Sequence, residues 1–352
     1  MMSLPYPVIE HLPPDYVSRL IGARVLVTGG AGLVGSRIVH VLTAIGAHPV
    51  VLDRMDAYPH SVRGLFGLDE TMDIVLGDVR EAATVRTLVD GADYVIHAAA
   101  YADVAACTRQ PEVAFAANVA GTQTILQEVR TSRTVRRLVF VSSASVYGDG
   151  AGSVVEFCED QPTIPISVYA NCKAWGEHQV RLMLGGSRAE YVVLRYFSVY
   201  GDPQVPKPGS HSWMVACLSM RAQLGLPLLL NGGGYQVRDM VHVDDIACAT
   251  VLALVADRAA GQTINVGTGI PTSVRQIAEQ IAAHYPGAQL VDAPRPADDP
   301  LGGYASTARS RELLGWEPRI AVSDGIDRYV AWLKATPQAI PRWLADTPVV
   351  AA

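Results

Sequence analysis

The stretch Val25-Leu26-Val27-Thr28-Gly29-Gly30-Ala31-Gly32-Leu33-Val34-Gly35 limits what this chain can become more than any other. Residues 24–27 read as a buried strand, 28–35 as a glycine-rich turn, and 36–45 carry the apolar spacing of a helix. Gly29 and Gly32 can take backbone angles closed to other residues and let phosphate oxygens approach the main chain, while Gly35 lets the helix pack closely on the strand. The helix start offers unpaired N–H groups and the positive end of a dipole to an anion. A turn of this kind suits the pyrophosphate of a dinucleotide. The next strand, 49–52, ends in Asp53, where an acid suits the ribose 2′-hydroxyl of NAD and repels the 2′-phosphate of NADP. Arg54, directly after it, pulls the other way. The competing reading is a purely structural glycine turn in some other α/β protein.

Further along, strand-like and helix-periodic stretches alternate, which calls for a parallel sheet covered on both faces. Strands are expected at 72–76, 94–97, 137–141 and 191–195, and helices at 81–89, 111–129 and 167–184. The expected fold is a Rossmann, doubly wound parallel sheet with a smaller C-terminal α/β region. Residues 1–20, rich in proline, form an N-terminal arm without assigned chemistry; 21–195 form the NAD-binding domain, with a returning segment near 241–268. Prolines and glycines cluster from 202 to 209, so 196–336 are assigned mainly to substrate binding, and 337–352 to a tail.

Composition excludes several partners. The net charge of −6 argues against nucleic acid or an anionic membrane, so an acidic ligand would need local arginines. The five cysteines, Cys107, Cys158, Cys172, Cys217 and Cys248, are scattered, with no Cys-x-x-Cys pair. They read as reduced residues of a cytoplasmic protein and offer no structural zinc site. Residues 1–20 lack a basic start followed by an apolar stretch, and no apolar run approaches the ~20 residues of a membrane span.

Tyr169 and Lys173 stand one helical turn apart at the start of an expected helix, so their side chains share a face. A free tyrosine ionises near a pKa of about 10, and a neighbouring cation favours the phenolate. Tyr169 thereby becomes a candidate proton acceptor and donor, and Lys173 can also hold a nicotinamide ribose. Ser142 and Ser143 follow a parallel strand at the same carboxyl edge, where a hydroxyl can bridge to a reacting oxygen. Without this context, a surface pair and a polar loop would be the plainer readings.

The order of the motifs carries a resemblance. Besides the glycine turn there are Asp78-Val79, His97-Ala98-Ala99-Ala100, Asn118-Val119-Ala120-Gly121-Thr122, Ser142-Ser143-Ala144-Ser145-Val146-Tyr147-Gly148, and Tyr169 with Lys173. Then come Leu194-Arg195-Tyr196-Phe197-Ser198-Val199-Tyr200-Gly201, Arg238-Asp239-Met240-Val241-His242-Val243-Asp244-Asp245, and Asn265-Val266-Gly267-Thr268-Gly269. From Ala23 to about Trp332 the chain resembles the extended short-chain dehydrogenase/reductases, and within them the NAD-dependent nucleotide-sugar epimerases and dehydratases.

The resemblance implies that Gly29, Gly32, Leu33, Val34 and Gly35 hold the cofactor pyrophosphate, Asp53 the adenosine ribose, and Asp78 with Val79 the adenine. It places Ala98, Ala99 and Ala100 along the middle of the cofactor and Asn118 beside it. Ser143, Tyr169 and Lys173 become the catalytic residues, the last two also touching NAD. Arg238 and Arg295 would grip the diphosphate of a nucleotide-sugar substrate, with Ser198 nearby. Relatives dimerise through the helices expected at 111–129 and 167–184, so a homodimer is expected.

Ala144 and Ser145 choose among reactions. Sugar 4,6-dehydratases carry an Asp-Glu pair there, and nucleotide-sugar decarboxylases a glutamate before Val-Tyr-Gly; this chain has neither carboxylate. The pattern is similar to the UDP-galactose and UDP-glucuronate 4-epimerases, which implies transient oxidation to a 4-keto sugar and return of hydride to the opposite face. Ser198 departs from the asparagine of the galactose enzymes, and Cys172 from the serine usual before the lysine. A 3,5-epimerase, a 4-ketosugar reductase and a non-catalytic dinucleotide sensor are the alternatives. The base, UDP, dTDP or GDP, and the sugar stay open.

Overall fold

Seven parallel strands form the central sheet of the computed structural model, which describes residues 12–68, 72–210, 213–295 and 300–345. In chain order they are β1 (Arg24–Thr28), β2 (His48–Asp53), β3 (Asp73–Leu76), β4 (Tyr94–His97), β5 (Arg137–Ser143), β6 (Glu190–Tyr196) and β7 (Thr263–Val266). Across the sheet they run β7-β6-β5-β4-β1-β2-β3. The strand order therefore reverses between β1 and β4, and a crevice opens above their carboxyl ends.

Side chains alternate across the two faces. Val25, Val27, Tyr94, Ile96, Val139, Val192 and Leu194 pack into one apolar layer, and Leu26, Val95, Leu138, Phe140 and Val193 into the other. The first layer is covered by α1 (Leu33–Ala44) and α5 (Val243–Val255), with the short helix Pro14–Leu20 against α5. The second lies under α2 (Ala82–Asp90), α3 (Gly121–Thr131) and α4 (Val168–Leu184).

A third apolar cluster joins Tyr200, Val215, Leu230, Ile277, Ile326 and Tyr329. Around it lie the strands Ser198–Tyr200, Val237–His242 and Pro271–Ser273, and the parallel pair Leu228–Asn231 with Leu290–Ala293. Asp239 ties this region together: its carboxylate accepts from the amides of Thr268, Gly269 and Ala305 and from the Thr268 hydroxyl at 2.6–2.9 Å.

Three boundaries differ from the sequence reading. The helix after the glycine turn begins at Leu33 rather than 36, so the backbone N–H groups of Leu33 and Val34 belong to its open first turn. The helix expected over 111–129 is interrupted by a π turn at Ala116–Ala120, within which the Asn118 side chain bonds the Tyr101 backbone beyond β4. Residues expected as a tail from 337 instead form turns at Pro337–Ala339 and Arg342–Ala345, with Ala339 and Leu344 buried in the third cluster. Of the N-terminal arm, residues 1–11 lie outside the described residues.

Candidate active site

The glycine turn is built by contact. Gly29 has φ +72°, and a Cβ there would come within 2.7 Å of the Ala99 backbone, while one on Gly35 would overlap the Gly29 carbonyl oxygen. Gly32 is different: an added Cβ would meet only Gly29 O, at 3.6 Å. Two glycines are demanded by the protein itself, and the third leaves open space at the start of α1, the side from which a pyrophosphate would approach. Gly35→Ala is therefore expected to lower the denaturation midpoint. Gly32→Ala should fold normally but copurify with little NAD, checked by cofactor absorbance after acid release.

Asp53 closes β2 beside this turn. Its Oδ2 accepts from the Ala31 amide at 3.0 Å and its Oδ1 from the Met55 amide at 2.7 Å, which aims the carboxylate and leaves lone pairs for a ribose hydroxyl. Arg54 turns away, paired with Asp56 and 3.5 Å from Asp78. Asp78 also binds Arg80 at 2.7 Å, and the Arg80 guanidinium holds its carboxyl below the usual range. The pull toward NADP that Arg54 suggested is thus neutralised.

A hydrogen-bond chain invisible to sequence reading joins the elements around the crevice. The Ala99 amide donates to Thr28 Oγ1 (3.2 Å), which lies 2.7 Å from His97 Nδ1; His97 Nε2 lies 3.0 Å from Thr122 Oγ1, which donates to Asn118 O (2.7 Å). Burial, with the nearby Lys173 charge, pushes His97 down to about 3, so the ring is neutral. Because the Thr122 proton is committed to a carbonyl, His97 Nε2 must donate and Nδ1 must accept from Thr28. Asn118 then clamps Tyr101, accepting from its amide (2.7 Å) and donating to its carbonyl (3.1 Å). Ala98, Ala99 and Ala100 lie between these fastenings, small and half-buried.

On the other wall, Ser167 caps α4 by accepting from the Ala170 amide at 3.1 Å, which places Tyr169 in the first turn, at the positive end of the helix. Lys173 is buried below it; Nζ donates to Val141 O at 2.7 Å and sits 5.8 Å from the centre of the Tyr169 ring. Ser143 ends β5 opposite Tyr196, and its hydroxyl lies 2.9 Å from that of Ser145. It faces the Tyr169 phenol and favours the ionised form.

The share of Lys173 in activating Tyr169 is smaller than the spacing suggests. In the chain alone, burial raises the Tyr169 pKa above its ordinary value, with Cys107 and Cys172 adding to the rise and only Ser143 opposing it. Lys173 itself is pushed down to about 8 by burial. The ammonium serves the Val141 carbonyl more directly than the phenol, so the helix terminus and the positive charge of an oxidised nicotinamide must supply the rest of the activation.

The remaining candidates line the C-terminal wall. Ser198 opens its strand just beyond β6, beside Met240. Arg238 and Arg295 flank the turn Gly232–Gly234: Arg238 donates to Val237 O (2.8 Å) and Pro300 O (3.1 Å), and the stem of Arg295 lies against Gly232. The Leu301 amide donates to Asp149 at 2.7 Å, so the backbone that carries Arg238 is tied to the loop after Ser143. The rest of the Arg295 motif, 296–299, lies outside the described residues. Val79 is buried beside Asp78 at the far end of the crevice. Among the described residues no group of three metal-binding side chains occurs, and no helix is long and apolar enough to cross a membrane.

A dinucleotide crevice at the switch point of a doubly wound sheet, with serine, tyrosine and lysine on one wall, defines an extended short-chain dehydrogenase/reductase. The chain belongs to the NAD dependent epimerase/dehydratase family, whose pattern matches residues 25–267, and NAD is its cofactor. A UDP-glucose 4-epimerase from Azospirillum brasilense is 34% identical, covering 90% of this chain and 94% of that one. Among solved structures, an epimerase from Methanothermobacter thermautotrophicus superposes with a TM-score of 0.85 at 27% identity, covering 97% of this chain and 99% of that one. A UDP-glucose 4-epimerase from Thermus thermophilus in complex with NAD does so with 0.79 at 30% identity, covering 88% and 99%.

Proposed function

We propose that this enzyme is a nucleotide-sugar 4-epimerase. The observation that carries the reading is the pairing of Tyr169 with Ser143 in a site where, among the described residues, no carboxylate bears on the phenol and the loop Ala144–Tyr147 contributes none. Such a site can move one proton on one oxygen; it lacks the second acid and base that elimination or decarboxylation asks for. The relatives named as 4-epimerases support the same choice.

Bound NAD supplies a reversible hydride acceptor. Tyr169, as phenolate, takes the proton of the sugar 4-hydroxyl, and Ser143 donates a hydrogen bond to that oxygen as it becomes a carbonyl. Lys173 holds its charge beneath the phenol. The resulting 4-keto sugar stays tethered through its diphosphate by Arg238 and Arg295, whose guanidiniums suit bidentate phosphate contacts. Once the ring has turned about that tether, Tyr169 returns the proton to the oxygen of the inverted centre. Firm phosphates and a loosely held sugar are what such a turn requires.

Exposed Phe115 and Leu182, on the adjoining helical layers that include α3 and α4, support a homodimer through this face. The decisive assay incubates the protein with UDP-, dTDP- and GDP-hexoses without added NAD and follows the C4 proton by NMR. Interconversion of one pair is the expected result; release of reduced sugar that depends on added NADPH would replace the reading with a 4-ketosugar reductase.

A further inference from the structure

We propose that residues 202–210 form a strap across the mouth of the dinucleotide crevice, and that Lys207 is its clasp, holding NAD in place between turnovers. The inference rests on the NAD site and is independent of which sugar is epimerised.

The strap leaves the C-terminal region just after the strand Ser198–Tyr200 and is fastened to three elements that border the crevice. The first is α1, whose start faces the pyrophosphate: Arg37 on that helix donates to Asp202 O at 2.6 Å and pairs with Asp244 at 3.0 Å. The second is the loop after β2, which follows the ribose-binding Asp53. Its Tyr58 presents an aromatic face to Lys207, with Nζ 4.6 Å from the ring centre and 5.7 Å from that of Trp213. The third is the helix Val104–Arg109, which follows the alanines after β4; there Arg109 donates to Gly209 O at 3.4 Å.

Each element adjoins residues assigned to a different part of the cofactor, and one short segment reaches all three from the opposite wall. Burial pushes the Lys207 pKa down, and the carboxylates of Asp103 after β4, Asp56 after β2 and Asp53 at the end of β2 oppose that shift from the same edge. Arg37 is buried in the framework, whereas the fastenings at Lys207 and Arg109 are a cation over aromatic rings and one long hydrogen bond. Contacts of that kind are individually modest, so the strap can open from its 207–209 end without unfolding either region. An enzyme that regenerates its cofactor at every turnover gains from such a closure, because an open crevice would let NAD escape in the intervals when no substrate covers it.

The test is the rate at which holoenzyme exchanges its bound NAD for isotopically labelled NAD in excess. Lys207→Gln keeps most of the side chain's length and removes the charge; Tyr58→Leu removes the ring. Both are expected to speed exchange roughly five- to thirty-fold, the range of a lost cation–π contact. Arg109→Ala, an exposed change that cannot threaten folding, should speed it to a smaller degree. The denaturation midpoint of NAD-stripped Lys207→Gln should match that of the wild type, which a merely structural role for the cluster would not allow. Exchange at the wild-type rate in Lys207→Gln overturns the proposal, and so does acceleration in Tyr58→Leu alone, since the β2 loop would then retain NAD without the strap.

Discussion

Replacing Tyr169 by phenylalanine should lower kcat roughly a hundred- to ten-thousandfold, the usual worth of a positioned general acid–base, with little change in NAD content or folding. The substitution removes one oxygen and leaves the ring that Lys173 underlies at 5.8 Å. KM should move little, because the arginines assigned to the diphosphate stand on the opposite wall. The pH profile adds a second check. Burial raises the proton affinity of the phenol, so the rate falls on the acid side as Tyr169 becomes protonated; that limb should vanish from the residual activity of Tyr169→Phe. On the alkaline side the rate falls as Lys173 loses its charge, at about 8 in the chain alone and higher once a phenolate stands beside it. Full activity in Tyr169→Phe would overturn the assignment of the phenol as the acid–base group.

Local pattern made much of this architecture legible. The glycine turn, the acid closing β2 and the alternation of strands with helices all depend on neighbours in sequence, and they pointed to a doubly wound sheet with NAD at its switch point. What stayed hidden depends on distant partners. Thr28, His97 and Thr122 form one relay only because β1 and β4 pair in register, Thr28 opposite His97. The π turn at Ala116–Ala120 leaves no mark in hydrophobic spacing, since it answers to the contact of Asn118 with Tyr101. Ser142 and Ser143 look equivalent along the chain, yet strand alternation sends them to opposite tasks: Ser142 donates to buried Glu177 at 2.5 Å, while Ser143 faces Tyr169. What opposes the ionisation of Tyr169 is hidden for the same reason. Spacing revealed the lysine, but the depth of burial that outweighs it is a property of the folded site.

The largest loss of stability should come from Arg195→Ala. Arg195 and Glu177 are 2% and 1% exposed and form a two-pronged ion pair at 2.9 and 2.7 Å. Removing one partner leaves an uncompensated buried carboxylate, which costs about 3–5 kcal/mol. The lower figure is expected, because Arg181 stands 3.5 Å from Glu177 and Ser142 still donates to it. The deficit is measured by urea midpoints at neutral pH. The double variant Glu177→Gln, Arg195→Met should recover most of the stability, since the charge is gone along with its partner. It should not recover kcat. The ion pair also holds the catalytic loop from both ends, through the Ser142 hydroxyl and through the Arg195 guanidinium 4.7 Å from the centre of the Tyr147 ring. Tyr147 in turn donates to Asn265 on β7 at 2.7 Å. A variant that is stable, binds NAD and turns over slowly would show that this buried charge pair sets the distance between Ser143 and Tyr169, whereas recovery of both stability and kcat would reduce it to a fastening of the core.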